Sequence, residues 1–234
     1  MVVNGYSVAP YAFESRNALR TGSCCVPRAP HANQPPVHPK PPSAEHLARH
    51  QHRIVALRET LASVLQGLAR FTLEVGSGHG HFLTAYATAH PSRFCLGIDI
   101  MSERLVRSER KRHRARLPNL AFVHASADSF LTALPDDVLI EDIMILFPDP
   151  WPKRRHHKHR LIQPEFLFSL AAKTLPGARL CLRTDSAEYF ATARSAIAGH
   201  AAWALNPLAP WPFELPTVFQ SRASAYESLI AIRT

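Results

Sequence analysis

"RFTLEVGSGHG", Arg70 to Gly80, runs an apolar strand straight into three glycines at alternate positions. Glycine at Gly76, Gly78 and Gly80 lets the chain turn sharply out of a strand, approach a ligand closely and enter a helix. The spacing is GxGxG, not the GxGxxG of nicotinamide dehydrogenases. A second apolar stretch, "RFCLGIDI" from Arg93 to Ile100, ends on Asp99. That carboxylate falls about twenty residues beyond the loop, where an α/β nucleotide site binds ribose hydroxyls. Glu74 adds a second acid on the same rim. Two acids beside a glycine loop repel a pyrophosphate but suit a ligand with a cationic or neutral head and a ribose. S-adenosylmethionine, with its sulfonium and ammonium groups, meets that demand.

Outward from this pair the pattern alternates. Strands are expected at 70–76, 93–100, 120–125, 141–147 and 178–184, with a last one in "YESLIAIRT" from Tyr226. Helices are expected near 80–90, 102–116, 127–134, 164–175 and 186–199. Short apolar strands separated by helices of about ten residues predict an α/β fold with a mostly parallel, doubly wound sheet covered on both faces. An amphipathic helix beginning near Ser43 leads in, with Leu47, Ile54, Leu57, Leu61, Val64, Leu65 and Leu68 near one face. Residues 1–44 are rich in proline and show no period, so they read as a disordered basic extension; residues 45–234 read as one domain.

With 234 residues, 46% hydrophobic and 19% charged, the chain can bury a real core. A net charge of +9, with fourteen His uncounted, favours a polyanionic partner, nucleic acid first. No apolar run approaches the roughly 18 residues of a membrane span, and "MVVNGYSVAPYAF" lacks the plan of a secretory signal. The expected location is the cytoplasm, with no membrane partner. Cys95 and Cys181 lie in apolar strands, and Cys24 and Cys25 are adjacent in the extension; all four read as chemically silent.

The chemistry concentrates in "ILFPDPWPKRRHHKHRL", Ile145 to Leu161. It follows the fourth strand of the central sheet and so opens on the same crevice as the glycine loop. Pro148, Pro150 and Pro152 fix the backbone around Asp149, and Trp151 can anchor the loop or stack on a base. The run behind it suits phosphates. A metal site in "HHKH" is disfavoured, because interleaved Lys and Arg repel a cation and no thiolate or paired acid completes a site. A second basic run, "ERLVRSERKRHRARLPN", reads equally as a solvated helix face and as part of a wider nucleic-acid footprint.

"FPDPWPKRRHHKHRL" resembles the signature of the tRNA (guanine-N7-)-methyltransferases of the bacterial TrmB type. "LEVGSGHGHFL" and "FCLGIDI" resemble the family's cofactor motifs, and "LPNLAFVHASA", "LIQPEF", "LRTD" and "TVFQSR" its later elements, so the likeness covers residues 70–222. It implies a class I S-adenosylmethionine-dependent methyltransferase (Rossmann-like) fold with an antiparallel last strand, transferring a methyl group to N7 of a variable-loop guanine in tRNA. By the match, Glu74, Gly76 and Asp99, with Gly78 in the same loop, hold the cofactor, joined by Ser126 at the third strand's end. Asp149 is the catalytic acid at the cofactor boundary. Lys153, Asp185, Thr217, Val218, Phe219 and Gln220 fall on substrate-binding positions. Arg154, Arg155, His156, Lys158 and Arg160 are expected on tRNA phosphates. The resemblance implies no obligatory protein partner and leaves monomer and homodimer open.

Three positions depart from the family pattern. Gln220 stands where the family carries Glu, Ser126 where it has Asp or Asn, and His159 where it has Arg. An amide offers guanine one acceptor where a carboxylate offers two. These departures keep open a second reading, a tRNA-binding protein on the same fold with little turnover. A methyltransferase acting on an exocyclic amine is disfavoured, because FPDPW replaces the NPPY-like tetrapeptide such enzymes carry.

Overall fold

The computed structural model describes residues 43–215, 223 and 225–234, the His46 side chain excepted. The expectations for residues 1–42, including Cys24 and Cys25, and for Thr217, Val218, Phe219 and Gln220 lie outside these.

Strands β1 (Arg70–Val75), β2 (Cys95–Asp99), β3 (Leu120–His124), β4 (Leu139–Leu146), β5 (Thr174–Thr184), β6 (Trp203–Leu205) and β7 (Glu227–Arg233) form one sheet in the order β3-β2-β1-β4-β5-β7-β6. β1 to β5 pair in parallel, and β7 runs antiparallel between β5 and β6. The antiparallel last strand is therefore present. β6 was not anticipated: three residues are too few to show a period, and the strand exists through its pairing of Trp203 to Arg233 and Leu205 to Ala231.

Helices α1 (Ala44–Val64), α2 (His81–Ala89), α3 (Ser102–Ala115), α4 (Ala127–Ala133), α5 (Pro164–Ala172) and α6 (Ala187–Ala198) connect the strands. Alternate strand residues serve opposite faces, as the pleat dictates. Ile143, Ile145, Leu180 and Leu182 join a core with Ile54 and Leu61 of α1, Phe130 of α4, Leu167 of α5 and Tyr189 of α6. Met144, Cys181 and Ile230 join the opposite core with Phe82, Leu83 and Tyr86 of α2. In α1 the apolar face is used from the middle onward: Ile54 and Leu61 are buried, as is Leu65 just past its end, while Leu47 is exposed. Each fully buried leucine or isoleucine contributes about 1.5–3 kcal/mol. Cys95 and Cys181 are buried free thiols, both pushed up to about 12 chiefly by burial, which makes them poor nucleophiles at neutral pH.

β5 begins four residues before the expected Ala178. Its pairing with β4 is interrupted, Ile140 facing Thr174 and Asp142 facing Arg179, so Pro176 and Gly177 loop out between two paired stretches. Asp142 is buried at this bend and takes a bidentate grip from Arg179 (2.9 and 2.7 Å) and a third bond from Arg93 at 2.9 Å. Asp142→Asn keeps the shape but loses the charge-assisted bonds, and is expected to destabilise the protein by about 2 kcal/mol in urea unfolding; an unchanged midpoint would show the triad to be dispensable.

Candidate active site

Strand register lines up the carboxyl ends of four strands. Ile98, Val75, Ile145 and Leu182 sit side by side on β2, β1, β4 and β5. One residue further come Asp99, Gly76, Leu146 and Arg183, so the glycine loop, the acid of β2 and the loop after β4 open on one edge. Neighbouring strands are about 4.8 Å apart, which makes this a rim on the order of 15 Å wide. The glycine loop, Asp99 and the loop after β4 thus share the carboxyl edge of the sheet.

Within it the glycine loop is fixed by its acid. The Gly78 N–H donates to Asp99 Oδ2 at 2.9 Å, and the Met101 N–H to Asp99 Oδ1 at 2.8 Å. Arg104 stands 3.8 Å from the same carboxylate. A bidentate carboxylate has roughly four acceptor sites, so lone pairs remain for hydroxyl donors. Gly80 caps α2 in a left-handed conformation (φ 67°), and a Cβ there would meet Phe122 Cζ at 2.6 Å. Gly80 is therefore a packing glycine, whereas a Cβ at Gly78 (φ 55°) would meet only Gly76 O at 4.0 Å, and Gly78 is required by its left-handed backbone.

Glu74 is buried, and its Oε2 has no hydrogen-bond partner among the described residues; the Ser77 hydroxyl beside the loop is likewise unsatisfied. Burial, and then the negative charge of Asp99, hold the Glu74 carboxyl well above the usual carboxylate range. A carboxyl raised by folding stabilises the fold below its unfolded value and loses that stabilisation as pH climbs through the folded one. The ligand-free protein is thus expected to lose stability as pH rises above the ordinary glutamate range, and Glu74→Gln to remove that decline. Melting temperature against pH for the two proteins checks this; parallel profiles would contradict it.

The loop after β4 is built on two left-handed aromatic residues. Phe147 (φ 51°) and Trp151 (φ 45°) both precede proline, a position that normally prefers extended backbone. Each such residue costs about 1–3 kcal/mol and persists only where its surroundings hold it. Between them Asp149 is exposed, and its Oδ1 accepts the Trp151 N–H at 3.1 Å. Its Oδ2 has no partner among the described residues. The Phe147 N–H donates to Arg183 O at 2.8 Å, and Arg183 in turn grips Glu214 with two bonds and lies 3.9 Å over the Trp211 ring.

The basic run forms a 3-10 helix, Arg154–His159, that its composition did not announce. Lys153, Arg154, Arg155 and Lys158 are exposed, while His156 packs edge-on to Trp151 and accepts from Arg155 Nε at 3.2 Å. Arg160 differs from its neighbours. Expected on tRNA phosphate, it is only 4% exposed and its guanidinium is used inside the protein. Nε donates to Pro150 O at 2.9 Å, Nη1 to Thr192 Oγ1 at 3.2 Å, and Nη2 lies 3.0 Å from His157 Nε2, with Glu188 at 3.4 Å. Arg160 ties the carbonyl next to Asp149 to helix α6. Asp185 is exposed just past β5, and Ser126 caps α4, its hydroxyl accepting the Ser129 N–H at 3.2 Å.

An open parallel sheet with a glycine loop and paired acids at its carboxyl edge, closed by one antiparallel strand, defines a class I methyltransferase fold. Solved structures agree on the fold. A 16S rRNA (adenine(1408)-N(1))-methyltransferase from Catenulisporales acidiphilia matches with a TM-score of 0.53 at 19% identity, over 76% of this chain and 91% of that one. TrmN from Thermus thermophilus matches with 0.52 at 16%, over 76% and 48%. The family model described as "Putative methyltransferase" matches residues 69–227. A tRNA (guanine-N(7)-)-methyltransferase of Thermosynechococcus vestitus is 32% identical over 145 residues, 60% of this chain and 68% of that protein. Those of Alkalilimnicola ehrlichii and Nitrosococcus oceani are 41% and 37% identical over 120 and 142 residues, with 50% and 60% of this chain aligned. The chain spans 49% and 60% of the length of those two relatives. It belongs to the bacterial TrmB-type tRNA (guanine-N7-)-methyltransferase family.

Proposed function

We propose that residues 45–234 form a methyltransferase domain that transfers the methyl group of S-adenosyl-L-methionine to N7 of a variable-loop guanine in tRNA, in the cytoplasm. The observation that carries this reading is the placement of Asp149. It is an exposed carboxylate on a proline-locked loop, one strand over from the glycine loop, with exposed Lys153, Arg154, Arg155 and Lys158 following it. The names of the relatives support the substrate. No helix among the described residues is long and apolar enough to cross a membrane.

The residues fit the proposed cofactor. Glu74 presents a buried acceptor without a donor, and the row of acids favours a cationic head. Glu74, Gly76, Gly78, Asp99 and Ser126 would hold it, with Asp149 at its boundary. When bound it supplies an electrophilic methyl on sulfonium. Guanine N7 has a free lone pair, so attack needs no general base. Positioning and stabilisation of the purine's developing positive charge are what remain for the protein. Asp149, with Oδ1 tied to its own loop and Oδ2 open, is suited to both. Lys153, Asp185 and the segment Thr217, Val218, Phe219, Gln220 would grip the guanosine.

The test is transfer of label from methyl-labelled S-adenosylmethionine to unmodified tRNA. Labelling expected of the parent should disappear with Glu74→Gln; tRNA that binds but stays unlabelled by the parent would favour a binding protein without turnover.

A further inference from the structure

Helix α3 carries much of the molecule's excess charge. From Ser102 to Arg116 the sequence holds seven Lys and Arg against two Glu, more than half of the whole chain's net +9. At 100° per residue, Arg104, Arg107, Arg110, Lys111 and Arg114 fall within one arc of the helix, a stripe about 15 Å long. Leu105 and Ser108 are buried, Leu105 roughly opposite the arc and Ser108 at its edge beside Arg104.

The stripe joins the rim. Lys111 Nζ donates to the His79 carbonyl of the glycine loop at 2.5 Å, and Arg107 Nη1 lies 3.4 Å from His79 Nε2. The positive field is felt locally: burial, then Arg107 and Lys111, lower the His79 pKa. Acids reach the arc at its amino-terminal end, where Glu103 lies one turn before Arg107 and Asp99 stands 3.8 Å from Arg104. Glu109 pairs with Arg112 at 2.8 Å and sits 3.7 Å from His113, both off the stripe. Arg110 and Arg114 are exposed and have no hydrogen bond or ion pair among the described residues.

We infer that this stripe of α3 is a second docking surface for the tRNA phosphate backbone, continuing the contact beyond the loop that carries Asp149. The inference rests on the tRNA reading above. The exposed guanidinium groups of Arg107, Arg110 and Arg114 gain by releasing counterions from a polyanion, and the stripe itself has no large apolar side chain to enter a membrane. Arg112, which the sequence grouped with its neighbours, is excluded by its pairing with Glu109.

The experiment is tRNA binding to R110E/R114E across a salt series, with R110Q/R114Q as a milder companion and K153E/R154E as the comparison on the other side of the rim. R110E/R114E is expected to weaken binding about tenfold and to flatten the plot of log K against log salt by about 1 to 2. R110Q/R114Q should show the same flattening with a smaller loss. S-adenosylmethionine binding and turnover at saturating tRNA should stay at parent values. If the parent methylates tRNA and both α3 variants bind it with the parent's affinity and slope, the surface is overturned while the enzymatic reading stands. A parent that binds no tRNA overturns both.

Discussion

Asp149→Ala is expected to lower kcat for tRNA methylation by about 10²- to 10³-fold, the usual cost of removing one fixed group that stabilises transition-state charge. The carboxylate is exposed on a loop whose flanking residues, Phe147 and Trp151, are held in left-handed conformations. Such strain fixes its direction before substrate arrives, so its contribution falls on turnover more than on binding. Asp149 bears no basic charge and lies ahead of the exposed cations, so the affinity for tRNA and its salt slope should change little. Asp149→Asn keeps an acceptor oxygen without the charge and should fall between parent and alanine variant. Single-turnover rates at saturating tRNA read this directly; an alanine variant with the parent's rate would remove Asp149 from the chemistry.

Arg160→Ala is expected to reduce kcat by about 10²-fold, through the position of Asp149 rather than through a phosphate contact. Its Nε–H holds the Pro150 carbonyl next to Asp149, while Nη1 reaches Thr192 on α6. Losing this brace frees the strained loop, and displacement of a reacting group by about 1 Å costs on the order of 10²-fold. Buried bonds are lost as well, so a destabilisation of about 1–3 kcal/mol accompanies it, and rates must be read well below the melting transition. The distinguishing readout is salt dependence. A phosphate contact would reduce the slope of tRNA binding, whereas a positioning residue leaves it at the parent value. Arg160→Lys retains charge but not the two-directional fork, so a phosphate contact would be largely rescued by it and the brace would not.

Arg160 also shows where the sequence stops being informative. "KRRHHKHR" offers cations of similar kind, and nothing in their order says that the last turns inward; burial depends on α6 arriving with Thr192, Glu188 and Tyr189 from some thirty residues downstream. The same holds for Asp142, whose partners Arg93 and Arg179 come from β2's approach and from β5. By contrast the glycine loop, Asp99 and the loop after β4 were legible, because each depends on a strand end and the residues right beside it. Alternation of apolar strands and helices fixed the layers for the same reason. β6 escaped because three residues carry no period, and the bulge at Pro176 and Gly177 because it arises from pairing with β4. Glu74 was placed on the rim from its position, but its buried, unpartnered oxygen belongs to packing.

Methyl transfer to N7 of guanine leaves a mark in the chemistry of the labelled product. Unmodified tRNA incubated with the protein and labelled S-adenosylmethionine should become susceptible to chain cleavage at 7-methylguanine, at one guanine of the variable loop, and the Asp149→Ala protein should yield almost none. Label that enters tRNA without producing such cleavage would rule out N7 of guanine as the methylated atom.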